Sequence, residues 1–266
     1  MRADLATRAL VEHRRGLIGW SIGVAVYGVM MCAIWPTIRD SPALLAALKD
    51  YPEAIKEVFG GEAAGFATAA GYLNAELFSM IIPLFFAVFA IGFAASTTGG
   101  EEERGLLDLV LAHPVRRSRV VSEKVAALVV GLVVVTVVLA VAMVVAGSLA
   151  GLGIPVGDVV AACVGAGLVG LVAGSFALLV GLVRGTRAAA IGAASIVLGL
   201  TYLLQILSGF VDGFRPFRWT SPLYVANSTA PLATGWPVER FLALLVVSVV
   251  LVGAGAYGFV RRDLRG

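Results

Sequence analysis

The stretch Gly99–Lys124, GGEEERGLLDLVLAHPVRRSRVVSEK, decides how this chain is read. It holds ten charged residues: Glu101, Glu102, Glu103, Arg104, Asp108, Arg116, Arg117, Arg119, Glu123 and Lys124. On both sides the sequence is almost purely apolar. One charge at a bilayer centre costs roughly 2.5–3.5 kcal/mol on the insertion scale, so ten would cost about 25 kcal/mol or more. The stretch therefore lies at a membrane surface, and the runs beside it carry the membrane.

Hydrophobic residues make up 59% of the 266 and charged residues 14%, with a mean hydropathy of +0.96. An ordinary soluble domain carries about 25% charged residues, so this chain lacks the polar surface to face water all round. A spanning helix needs roughly 20 apolar residues to cross a core about 30 Å thick. Six stretches qualify: Leu17–Trp35, Leu73–Ser96, Val125–Leu149, Val159–Val183, Ala188–Phe210 and Phe241–Val260. The first is too long for a cleaved signal peptide and has no small-residue cleavage site, so it is read as a span. The expected fold is an all-α membrane protein with six transmembrane helices, a single transmembrane domain over residues 1–266. No internal repeat and no soluble domain is visible.

Six spans put both termini on one side. That side carries 14 of the 20 lysines and arginines, including Arg104, Arg116, Arg117, Arg119 and Lys124, against six on the other. The asymmetry predicts cytoplasmic termini and a cytoplasmic charged stretch. A pI near 9.1 then needs no nucleic acid to explain it.

Residues 1–15 predict an interfacial helix, with Asp4, Arg8 and Glu12 on one stripe. Residues 36–72 and 211–239 are the longer outer loops. Trp20 and Trp35 are expected at the two interfaces of the first span. Cys32 and Cys163 lie within spans and read as buried thiols rather than a disulfide or zinc pair.

No catalytic residue is identifiable. His13 and His113 belong to no metal pattern, no Gly-x-Ser-x-Gly elbow occurs, and no Gly-Lys pair exists to build a Walker A phosphate loop. No metal site is expected. Among the few polar residues within spans, Asn74, Glu76 and Gln205 stand out. Glu76 reads either as a carboxylate reaching interfacial water or as an outer gate or substrate group. Ala166, Gly170 and Gly174 keep a four-residue spacing, which suits close packing within the bundle or a dimer face.

Residues 99–120 resolve into an amphipathic helix, a turn and a basic anchor. Glu101–Glu103 favour the positive end of a helix. Leu106, Leu107, Leu109, Val110 and Leu111 cover one arc, with Glu101, Arg104 and Asp108 opposite. His113-Pro114 ends the helix, and Arg116, Arg117 and Arg119 suit lipid phosphate at the inner leaflet. A solvated interfacial face accounts for the arginines. Three glutamates beside anionic lipid are better matched by a protein partner.

This stretch resembles the signature of ABC-2 type transporter permeases, through Glu102, Glu103, Gly105, Leu107, Leu111, Pro114, Val115, Arg117 and Lys124. YPEAIKEVFGG (51–61), GYLNAELFSMIIPLF (71–85) and the opening HRRGLIGW (13–20) are similar to the actinobacterial-type branch. The resemblance implies the membrane subunit of an exporter in the plasma (inner) membrane. It implies a second permease copy, a homodimer by default, and two copies of a separate ATP-binding cassette subunit that holds the ATP and Mg2+. The stretch between spans 2 and 3 would be the coupling helix, docking through Glu101, Glu102, Glu103, Arg104, Gly105, Asp108 and Pro114. The last outer segment would correspond to a re-entrant cap. The substrate implied is an apolar or amphipathic small molecule. A partner-free carrier or accessory scaffold is the alternative.

Overall fold

The computed structural model describes residues 5–41, 68–104 and 117–261, apart from the side chains of Leu5 and Asp212. Most of the first outer loop, and Gly105 to Arg116 of the charged stretch, lie outside the described residues. In chain order the helices are α1 (Leu5–Glu12), α2 (Arg14–Arg39), α3 (Ala69–Leu73), a π-helical turn (Asn74–Phe78), α4 (Ile81–Thr97) and α5 (Gly99–Glu103). They continue as α6 (Arg117–Leu149), α7 (Val156–Arg184), α8 (Arg187–Phe210), a 3₁₀ segment (Asp212–Thr220), α9 (Pro222–Asn227), α10 (Pro231–Thr234) and α11 (Val238–Arg261). No strand occurs among the described residues.

Among the described residues, six helical segments are long and apolar enough to cross a membrane: α2, the α3–α5 run, α6, α7, α8 and α11. They match the six apolar stretches, extended by a few residues at most ends. The extension is physical, because a helix continues through charged residues once it leaves lipid. In α6 the 33 residues rise about 50 Å at 1.5 Å each. The surplus over the apolar run is Arg117–Lys124.

The fourth span, α7, is the hub. It packs against α4, α6, α8 and α11, while α2 rests mainly on α6. Its small residues permit this. A Cβ on Gly170 would lie 3.0 Å from the Phe86 carbonyl oxygen, and one on Gly174 would lie 2.9 Å from Ala90 Cβ. Ala166 is buried too. The glycine stripe therefore packs within the bundle. Valines 133, 137, 141 and 145 form an exposed row along α6, as a lipid-facing stripe should. Cys32 and Cys163 are buried and unbridged.

Two features depart from the sequence expectations. The second span is not one helix. Ser79 donates to the Asn74 carbonyl at 2.7 Å, a π-type bond, and Met80 leaves helical geometry at φ −145°. Pro83 lies three residues on. It has no N–H for the Ser79 carbonyl, and its ring crowds that position. Trp20 and Trp35 do not simply mark interfaces either: Trp35 is 5% exposed and stacks on Tyr72 at 5.7 Å, while Trp20 meets Phe85 and Phe89 edge-on. The segment after the fifth span, expected as a re-entrant cap, folds back into the bundle. Leu223, Ala226, Ala230 and Leu232 are buried, and a Cβ on Gly165 would come 3.6 Å from the Ala226 carbonyl oxygen. Gly165 is about 14 Å along α7 from Val156, so α9 reaches well below the rim. Non-membrane-spanning backbone at that depth is tolerated because protein, not lipid, surrounds it.

The junction of α4 and α5 is equally tight. A Cβ on Gly99 would sit 2.6 Å from the Arg187 nitrogen. Gly99→Ala should cost about 2 kcal/mol or more through overpacking. Gly92→Ala, with nothing within 4 Å of its new methyl, should be neutral or stabilising by up to ~1 kcal/mol. Thermal unfolding of both variants in detergent checks the contrast.

Candidate functional site

Helix directions collect one set of ends: α1, the start of α2, α5, the start of α6, the α7–α8 turn and the end of α11. Arg14, Arg15, Arg104, Arg117, Arg119, Lys124, Arg184, Arg187 and Arg261 all belong to it. This basic end contains every described residue of the charged stretch.

Polar contacts tie it together. Lys124 is 5% exposed. Its Nζ donates to Glu101 Oε2 at 2.5 Å and to the Thr97 carbonyl. A buried ammonium is tolerable only with such partners. Two residues beyond Glu101, Glu103 Oε1 accepts the Arg187 backbone N–H at 2.9 Å. Arg187 opens α8, so the carboxylate satisfies an orphan donor and meets the positive helix end. The turn before α8 is made possible by Gly185, left-handed at φ 71°, which closes α7 through its N–H to the Gly181 carbonyl. Thus α5 is held on one side by α6 and on the other by α8.

Glu123 caps a further helix. Its Oε2 accepts the Ala6 N–H at 3.2 Å, and its Oε1 takes Arg119 Nε at 3.0 Å. This fastens α1 beside the start of α6. Arg117 Nη1 donates to the Phe259 carbonyl at 3.1 Å and lies 5.7 Å from that ring's centroid, closing the last turn of α11.

Glu101 and Glu103 thus turn toward the chain's own helices, Glu102 is half-buried, and Arg104 is exposed at the end of α5. Gly105, Asp108, Pro114 and Arg116 lie outside the described residues. Arg117 and Arg119 have partners in the chain, and each also reaches the surface. Glu76 is far away, exposed on the π-turn. Sequence reasoning missed Glu123 as a cap and Lys124 as the partner of Glu101. A lysine and acids one to seven positions outside an apolar run were the available signal, but their pairing requires knowing which helices are neighbours. Among the described residues, no group of three or more His, Cys, Asp or Glu gathers as a metal site.

The clasp makes a measurable demand. Lys124→Met leaves Glu101 uncompensated and should cost about 3 kcal/mol, whereas the Lys124→Met/Glu101→Leu double variant should recover most of it. Thermal unfolding of the four proteins of this cycle measures the coupling, and additive losses would remove the clasp.

The described residues of this end form a surface on which a short helix is braced between the third and fifth spans. No curated protein matches the chain. A family model described as "Multidrug efflux system permease Rv1217c, C-terminal domain" matches residues 5–260, from the first described helix to the last. With six apolar helices and a match over nearly its whole length, the chain belongs to this multidrug efflux permease family.

Proposed function

We propose that this protein is the membrane subunit of an ATP-binding cassette exporter, driven by ATP and Mg2+ held in two copies of a separate subunit. The observation that carries the reading is the bracing of α5 by Lys124–Glu101 and by Glu103–Arg187. A push on the segment that follows α5 reaches two spans at once through these contacts. The basic end faces the cytoplasm, in keeping with the positive-inside rule, and α1 lies in the inner interface. The docking stretch includes Gly105, Asp108 and Pro114, which follow α5 in the sequence. In this reading Arg104, Glu102 and Asp108 meet the ATPase, Glu101 and Glu103 hold the helix to the bundle, and Arg116 and Arg119 rest on lipid phosphate. A second permease copy completes the exporter in the plasma membrane. The cargo is an apolar or amphipathic small molecule.

Orientation is tested by labelling. Both native thiols are buried, so a cysteine at Gly153 should react with a membrane-impermeant maleimide on intact cells, and one at Arg119 only after lysis. The reverse pattern would invert the topology.

The ATPase is tested by co-purification with a separate ATP-binding cassette subunit from the same cell. Wild type should retain it, while Arg104→Glu and Asp108→Arg should lose most of it, with normal insertion and expression. Retention by both variants would remove the docking assignment. No retention by wild type would favour a partner-free carrier.

A further inference from the structure

Rings fill the space between the first and second spans. The backbones of α2 and α4 come close at few positions. Trp20 reaches across to Phe85 at 6.1 Å between centroids, and Tyr27 meets the same ring at 5.8 Å. Trp35 stacks on Tyr72 further along. Positions 20, 27 and 35 recur about every two turns, so these rings share one face of α2. The seam extends from Trp20 to Trp35 over about 22 Å. Trp20, Tyr27 and Phe85 are only partly buried.

The seam ends at a carboxylate. Glu76 is exposed and stands four residues, about one turn, beyond Tyr72, the ring that stacks on Trp35. It makes no ion pair among the described residues. Among the described acids toward this end of the bundle, Asp158 and Glu239 occupy the first turns of their helices and Asp40 pairs with Arg39 at the end of α2, whereas Glu76 lies seven residues, about two turns, beyond the start of α3. It also sits on the π-turn beside the break at Met80. Wide turns of this kind recur at functional positions, and interrupted spans are where transporters place ligands.

We propose that the ring-lined seam between α2 and the α3–α4 segment is a ligand site for amphipathic organic cations, with Glu76 receiving the charge and Tyr27, Tyr72, Trp20, Phe85 and Trp35 receiving the apolar body. Aromatic faces attract cations that have left water. The carboxylate adds a charge that a neutral amphiphile cannot use. The break at Met80 lets the α3 side of the seam move apart from α4, so the rings can part without unwinding a continuous helix. The proposal rests on the efflux reading for the reason such a ligand arrives, but not for the binding itself.

The test uses the purified full chain in nanodiscs and equilibrium dialysis with two probes, tetraphenylphosphonium and the neutral triphenylphosphine oxide. Wild type should bind both, the cation more tightly. Glu76→Gln should weaken the cation about tenfold and leave the neutral probe unchanged, while Glu76→Asp should keep most cation affinity. Phe85→Leu should weaken both probes, and unchanged gel-filtration profiles certify folding. Absence of cation binding in wild type, or binding indifferent to Glu76→Gln, overturns the proposal. Glu76-dependent binding without ATP-driven export by the reconstituted exporter would support the seam while counting against the efflux reading. Export with Glu76-indifferent binding would do the opposite.

Discussion

The structure depends on one helix having almost no side chain where its neighbours need room. The second span approaches α7 so closely that Phe86 contributes its backbone carbonyl to the contact at Gly170. Lipid supplies no hydrophobic drive for two apolar helices to associate, so close packing has to supply it. Glycine at 170 and 174 makes that packing available along about one turn of both helices. Thr98 then fits over Gly181, and Gly99 over the α7–α8 turn. The same axis of contact that joins the spans in mid-membrane thus fixes where the second span leaves it.

Position at that exit decides what the charges do. Glu101 and Glu103 are two residues apart on a five-residue helix and engage different neighbours, Lys124 on α6 and the first N–H of α8. Neither contact is large by itself. Their value is geometric, because a short helix with only one attachment would pivot. Glu123 and Arg117 extend the pattern to α1 and α11. In each case a carboxylate or guanidinium fills an orphan backbone group at a helix end, so the polar surface at this end is also the fastening of the bundle.

The opposite end is built differently. Its second span is interrupted by a π-turn and a non-helical residue upstream of Pro83, and its last outer segment is two short helices folded against α7. Stacked cations and rings join the 3₁₀ segment to α9, through Arg218 over Tyr224 at 4.9 Å, and to α11, through Arg240 over Trp219 at 5.2 Å. One end is braced by helix caps and a buried ion pair, the other by rings and broken helices.

Much of this was legible in the sequence because lipid is an exacting solvent. A run of some 20 apolar residues has few alternatives to a spanning helix, so the number of spans and their approximate limits follow from hydropathy. The charged stretch is outside the hydrocarbon for the same reason, and a glycine stripe was readable as a close contact without naming its partner. Other features needed tertiary structure. Pro83 is visible in the sequence, yet proline is tolerated within membrane helices, so only the packed neighbours decide whether the helix kinks or breaks. Trp20 and Trp35 have the composition of interfacial anchors, and only the position of the second span turns them toward its rings. Lys124 stands 23 residues from Glu101 and could pair with any acid at that surface. Hydropathy, a local sum over consecutive residues, determined which segments lie in the membrane; partnership between distant side chains depends on which helices are adjacent, and that only the fold decided.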